Sequence, residues 1–134
     1  SYGNTLSLRE TDAAIDQKIR TMPTDPARVR RSDPGEPEKC PVFDLHKVYS
    51  DDATRQWATE GCRSAGIGCL ECKKPLIDAV QAEVAPIREQ AEALDADRDY
   101  VRQVIQDGCD RARDTARQTM NDVRSAVGLY YRAR

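Results

Sequence analysis

Four of the chain's five cysteines, Cys40, Cys62, Cys69 and Cys72, lie in the spacing C-x21-C-x6-C-x2-C. The thiolate is the metal-binding form of cysteine, and a C-x2-C step lets two of them reach one centre from a single turn. Three chemistries compete for this constellation. A [4Fe-4S] cluster takes four thiolates, and a proline beside a ligand, as in Cys40-Pro41, is a familiar companion. A structural zinc ion takes the same four in a tetrahedron. The plainest alternative makes them small buried hydrophobes. Two features weigh against that alternative. The glycine-rich step Ala65-Gly66-Ile67-Gly68 folds Cys62 toward Cys69. Cys69 and Cys72 then share one helix face in a first turn, where the helix dipole favours thiolate over thiol. Arg63, Lys73 and Lys74 stand beside the cysteines and can offset the charge of four thiolates. Spacing alone leaves iron–sulfur and zinc both open.

The remaining candidates read more plainly. His46 is the one histidine, with neither a second histidine nor a positioned acid, and reads as a packing or surface residue. Cys109 sits on an apolar helical stripe between Ile105 and Ala112 and reads as a core cysteine. Arg111, Arg113, Arg117 and Arg124 lie among acids, as surface ion pairs do. Arg63, Lys73, Lys74 and Arg88 form the best local basic surface for RNA, whose single-stranded bases are read by stacking and edge hydrogen bonds. Trp57 reads as core before base platform. Neither a Ser/His/Asp arrangement nor a glycine-rich phosphate loop is present.

The elements that must position these residues are helices. Of 134 residues, 33% are charged and 5% aromatic, the composition of solvated helix faces rather than of a β-sandwich. The 39% apolar content fills one modest core, so one domain is the default. A net charge of −2 is no polycation, and any RNA contact must be local. With no run of 18 apolar residues and no basic-then-apolar start, neither a membrane span nor a signal peptide is expected. The chain reads as cytoplasmic, where cysteines are ligands or buried thiols before they are disulfides.

Thr11 can cap a helix carrying Ile15, Ile19 and Met22, which Pro23 closes. Residues 24–39 hold Asp25-Pro26, Asp33-Pro34-Gly35 and Glu36-Pro37, a surface excursion of turns. Pro41 opens a short helix to about Tyr49. Ser50 or Asp51 caps a second, with Ala53, Trp57, Ala58 and Cys62. A third starts near Cys69, with Leu76, Val80, Val84, Ile87, Ala91 and Leu94 at three- and four-residue steps and a kink expected at Pro86. A last long helix carries Val101, Ile105, Cys109, Ala112, Ala116, Met120, Val123 and Val127, with Gly128 as terminator. Packing of the two long helices as an antiparallel pair against the shorter ones would bury both stripes. The expected fold is an all-α helical bundle.

Ser1-Tyr2-Gly3-Asn4-Thr5-Leu6 resembles the end of the Lys-Met-Ser-Lys-Ser signature of class I aminoacyl-tRNA synthetases, continued as in tryptophanyl-tRNA synthetases. Lys39 to Lys47, Gly61 to Gly68, Cys72-Lys73-Lys74 and Ala85 to Arg88 are similar to the bacterial family in the same order and at its distances. The resemblance implies that residues 1–9 are a remnant of the ATP-binding loop, with Ser1 contributing to the ATP phosphates. It implies that 10–134 are a helical, C-terminal anticodon-binding domain, and that a Rossmann catalytic domain lies upstream. The complete enzyme would be a homodimer that activates tryptophan with ATP and transfers it to tRNA(Trp), and this piece alone would be inactive. A subset of the family carries a [4Fe-4S] cluster beside its anticodon-binding surface on C-x22-C-x6-C-x2-C, one residue longer at the first step than here. That likeness favours iron–sulfur over zinc at Cys40, Cys62, Cys69 and Cys72. A stand-alone metal-binding helical module without ligase activity is the competing class, and an electron carrier a weaker third.

Overall fold

The computed structural model describes residues 4–129, and every regular element in them is helical. In order they are α1 (Asp12–Thr21), a 3-10 turn (Pro37–Lys39), α2 (Pro41–Tyr49), α3 (Asp52–Arg63), α4 (Cys69–Ala96) and α5 (Arg98–Ala126). The chain divides into two units, the first ending at Ala91 and the second beginning at Glu92.

The first unit holds the core: Ile15 and Ile19 of α1, Val42 of α2, and Leu76, Ile77, Val80 and Val84 of α4. Leu6, Met22, Cys40 and Leu45 pack against it. The helices start where local chemistry sets them. Thr11 accepts the Ala14 N–H at the head of α1, Asp51 accepts that of Thr54 at the head of α3, and Pro41 opens α2, so side-chain oxygens and a proline meet N–H positions that have no helical partner.

Helix α4 holds α1 at both ends. Gln81 donates to the Asp12 carbonyl at 2.9 Å, and Arg88 donates to the Glu10 carbonyl at 2.6 Å and to Asp12 Oδ1 at 3.0 Å. One stretch earlier on α4, Lys73 donates to the carbonyls of Arg20 and Met22 at 2.7 and 2.6 Å. The two helices therefore run antiparallel, and the cation sits where α1 leaves its last carbonyls without helical partners. The apolar stripe of α4 is buried only as far as Val84, since Ile87 and Leu94 are exposed.

Two expectations change here. Helix α5 buries none of its residues, so Val104, Ile105, Met120 and Val123 are exposed and Cys109 is no core cysteine. Its spacing is amphipathic, but periodicity states which residues share a face, not that anything covers it. Trp57, read as core, is 41% exposed.

Candidate thiol site beside a loop arginine

The four cysteines come from the ends of three helices. Cys40 is the residue before α2, Cys62 lies in the last turn of α3, and Cys69 and Cys72 lie in the first turn of α4. All four are free and half-buried. The α3–α4 turn is built locally. Ala65 takes a left-handed φ of 55°, its N–H and that of Ile67 bond the carbonyls of Cys62 and Gly61, and a side chain on Gly61 would collide with Ile67 at 2.8 Å. Glu71 then reaches back to accept the Gly68 N–H, and the Cys72 N–H makes the first helical bond to the Gly68 carbonyl, which together fix the turn carrying Cys69 and Cys72.

The stretch 24–39, expected to be a surface excursion, returns to this turn through residues 25–36. Asp25 is buried, and its carboxylate accepts the N–H of Ala27 at 2.9 Å and of Glu36 at 2.8 Å, which folds the loop onto itself. The Gly35 N–H bonds the Cys62 carbonyl at 3.0 Å, and a Cβ there would lie 2.6 Å from Cys62 Sγ. Only glycine lets the loop approach that thiol so closely. The loop delivers Arg28, whose Nη1 stands 3.9 Å from Cys62 Sγ and whose Nη2 donates to the carbonyls of Ile67 at 2.6 Å and Arg31 at 3.0 Å.

From the other side, His46 of α2 is fully buried. Its Nε2 lies 3.1 Å from the Cys72 carbonyl and 3.5 Å from Cys72 Sγ, and its Nδ1 lies 2.8 Å from Ser50 Oγ. A carbonyl only accepts, so the proton is on Nε2 and the Ser50 hydroxyl donates to Nδ1. Burial pushes the imidazole pKa down and keeps it neutral.

The thiols sense one another. Burial, then repulsion from Cys40, Cys62 and Cys69, pushes the Cys72 thiol up to about 12, with Arg28 opposing. Burial and the charges of Cys40 and Cys69 likewise raise Cys62, again against Arg28. Desolvation is the largest cause at both Cys62 and Cys72, since burial penalises the charged thiolate. Among the described residues, no group of three or more His, Cys, Asp or Glu side chains is gathered as a single-ion cage.

The cations read as an RNA surface separate into two kinds. Lys73 is 3% exposed and Arg88 is mostly covered, and both bond α1 as described. Lys73 is therefore internal and Arg88 half-buried, because carbonyls at the two ends of α1 take up their donors. Arg63 and Lys74 are exposed, Arg63 in an ion pair with Glu38 at 2.6 Å. Ser1 lies outside the described residues. Arg113 and Arg117 pair with Asp110 and Asp114 on the surface as expected. A groove lined by Arg28, Arg30, Arg31, Cys69 and Leu70 opens beside the cysteines. Sequence reasoning missed Arg28 and Arg31, since no local pattern signals a contact between residues 34 or 40 positions apart.

The amino-acid sequence is 56% identical, over 131 residues, to the tryptophan–tRNA ligase of Ralstonia nicotianae. This chain is similar to one part of tryptophan–tRNA ligases. That match covers 98% of the chain and 33% of the Ralstonia protein. The ligase of Deinococcus radiodurans is 47% identical over 96% of the chain and 39% of its own length. That of Thermotoga maritima is 44% identical over 98% and 40%. The chain thus spans between a third and two fifths of the curated relatives it matches. No protein-family model matches it. Among the described residues, no helix is long and apolar enough to cross a membrane.

Proposed function

We propose that this chain is the C-terminal, anticodon-binding part of a bacterial-type tryptophan–tRNA ligase. The whole protein would join tryptophan to tRNA(Trp) at the expense of ATP, as a cytoplasmic homodimer, with Ser1 closing the ATP-binding signature. The observation that carries this reading is the 56% identity maintained across 98% of the chain. The helical fold agrees with it, and the exposed cations Arg30, Arg31, Arg63 and Lys74 border the cysteine turns as RNA contacts would.

Cys40, Cys62, Cys69 and Cys72 are proposed to hold a [4Fe-4S] cluster, with zinc as the alternative. Three features of the fold support a thiolate-bound group. The donor set is all sulfur. Gly35 leaves the space at Cys62 Sγ that any side chain would fill. Arg28 holds Nη1 at 3.9 Å from Cys62 Sγ, a fixed cation beside the thiols. Bound there, the cluster would supply a covalent tie among α2, α3 and α4 rather than a reaction step. The chain's own residues do the positioning. His46 orients the Cys72 peptide, Glu71 fixes the α4 turn, and Asp25 holds the loop over Cys62.

The test is titration of anaerobically prepared protein with a labelled anticodon stem–loop of tRNA(Trp). Tight binding is expected, weakened by a changed anticodon, with Arg31→Ala and Lys74→Ala each lowering the salt slope by about one per lost phosphate contact. Equal binding of both loops would overturn the anticodon role. On the same sample, about four irons and four sulfides per chain, lost in Cys72→Ser, are expected for thiolate-ligated [4Fe-4S] chemistry, whereas one zinc without sulfide replaces the cofactor.

A further inference from the structure

Arg28 approaches the cysteines from outside the helices that carry them. Its Nη2 is anchored on two carbonyls, Ile67 in the α3–α4 turn and Arg31 in its own loop. These anchors fix the guanidinium plane, and Nη1 is left facing Cys62 Sγ at 3.9 Å. The Nε–H is shut off from solvent and, among the described residues, has no acceptor. The other cation closest to the cysteines in the sequence and buried, Lys73, is committed to the carbonyls of Arg20 and Met22. Gly35 packs against both Arg28 and Cys62, with a Cβ there 3.2 Å from Arg28 Cδ and 2.6 Å from Cys62 Sγ. The loop is therefore shaped to bring this one guanidinium to the thiol.

We propose that Arg28 is the positioning residue of the thiolate-bound centre, supplying its counter-charge through the guanidinium edge whose Nη1 faces Cys62 Sγ. The inference rests on the four-cysteine reading above. Four thiolates in a half-buried site repel one another, and a fixed guanidinium is the cation best suited to offset them, because it stays charged and keeps its donors in a plane. A guanidinium that merely staples the loop through Ile67 and Arg31 would stabilise the fold and leave the bound group's electronic properties unchanged.

The experiment uses the full chain, anaerobically loaded with iron and sulfide, as parent, Arg28→Gln and Arg28→Lys. Iron and sulfide per chain, resistance to a chelator and reduction potential are measured, with far-UV helicity and the urea midpoint of the iron-free chains as fold controls. In Arg28→Gln the chelator concentration that strips half the iron is expected to fall about tenfold, the factor for one lost charge-assisted hydrogen bond. Its potential is expected to move negative, because a nearby positive charge favours the reduced, more anionic cluster. Arg28→Lys keeps the charge without the fixed planar guanidinium, so its potential should stay near the parent's while its chelator resistance falls. An Arg28→Gln chain that folds and matches the parent in both readouts overturns the proposal. If that variant fails to fold, parent-like chelator resistance in Arg28→Lys overturns it and a tenfold loss supports it. A parent chain that takes up no iron and sulfide fails at the earlier step, the cluster reading itself, and removes the proposal with it.

Discussion

Lys73 carries its ammonium where water hardly reaches, and only the carbonyls of Arg20 and Met22 make that tenable. Truncation to Lys73→Ala leaves both carbonyls and the end of α1 without a donor, and a loss of about 2–3 kcal/mol is expected. Urea unfolding of parent and variant measures it; a loss below 0.5 kcal/mol, the scatter of neutral surface changes, would mean that water replaces the ammonium. Asp25 acts on the loop in a comparable way. The N–H groups of Glu36 and then Ala27 hold its carboxyl below the ordinary aspartate range. A depressed carboxyl contributes stability that is present above the unfolded value and lost as pH falls through the folded one. The thermal midpoint of the parent should therefore drop as pH falls below about 4, and Asp25→Asn should start lower at neutral pH and show a shallower acid decline. Parallel declines would show that Asp25 does not titrate with unfolding.

The turn between α3 and α4 carries strain at one identifiable place. The sequence points to the glycine-rich step Ala65-Gly66-Ile67-Gly68 as the turn that folds Cys62 toward Cys69, and the structure puts the left-handed residue at Ala65, with φ 55°, not at either glycine. The hydrogen bonds from Ala65 and Ile67 back to Cys62 and Gly61 set that register, and the Gly61–Ile67 contact fixes it against a one-residue slip. Ala65→Gly is expected to raise stability by about 0.5–1 kcal/mol, because removing a Cβ from a left-handed position relieves more than the added chain entropy costs. A lower urea midpoint would show that Ala65 is not strained. Most element boundaries were legible because they rest on local chemistry: Thr11 and Asp51 as caps, Pro41 as a first-turn residue, Gly128 with φ 73° after α5. The excursion over 24–36 was not, because the contacts of Asp25, Arg28 and Gly35 join distant residues and leave no periodic trace.

At the scale of the whole chain, burial is concentrated in the first unit. All seven residues of the apolar cluster come from α1, α2 and the part of α4 up to Val84, while α5 buries none. Amide exchange should follow: residues 76–84 protected close to global stability, and α5 exchanging through local opening with protection factors at least about a hundredfold lower. Comparable protection would show that α5 is stabilised by contacts of its own. The sequence by itself determined the helical class, the helix starts and the pattern of four cysteines, since composition, caps and spacing are properties of neighbouring residues. It also carried the likeness to tryptophan–tRNA ligases, in ordered motifs along the chain. Only the tertiary structure decided that Lys73 and Arg88 face inward, that His46 and Arg28 flank the thiols, and that the α5 stripe stays exposed. Those outcomes depend on which surfaces meet across tens of residues, where desolvation and hydrogen-bond geometry, not sequence spacing, set the result.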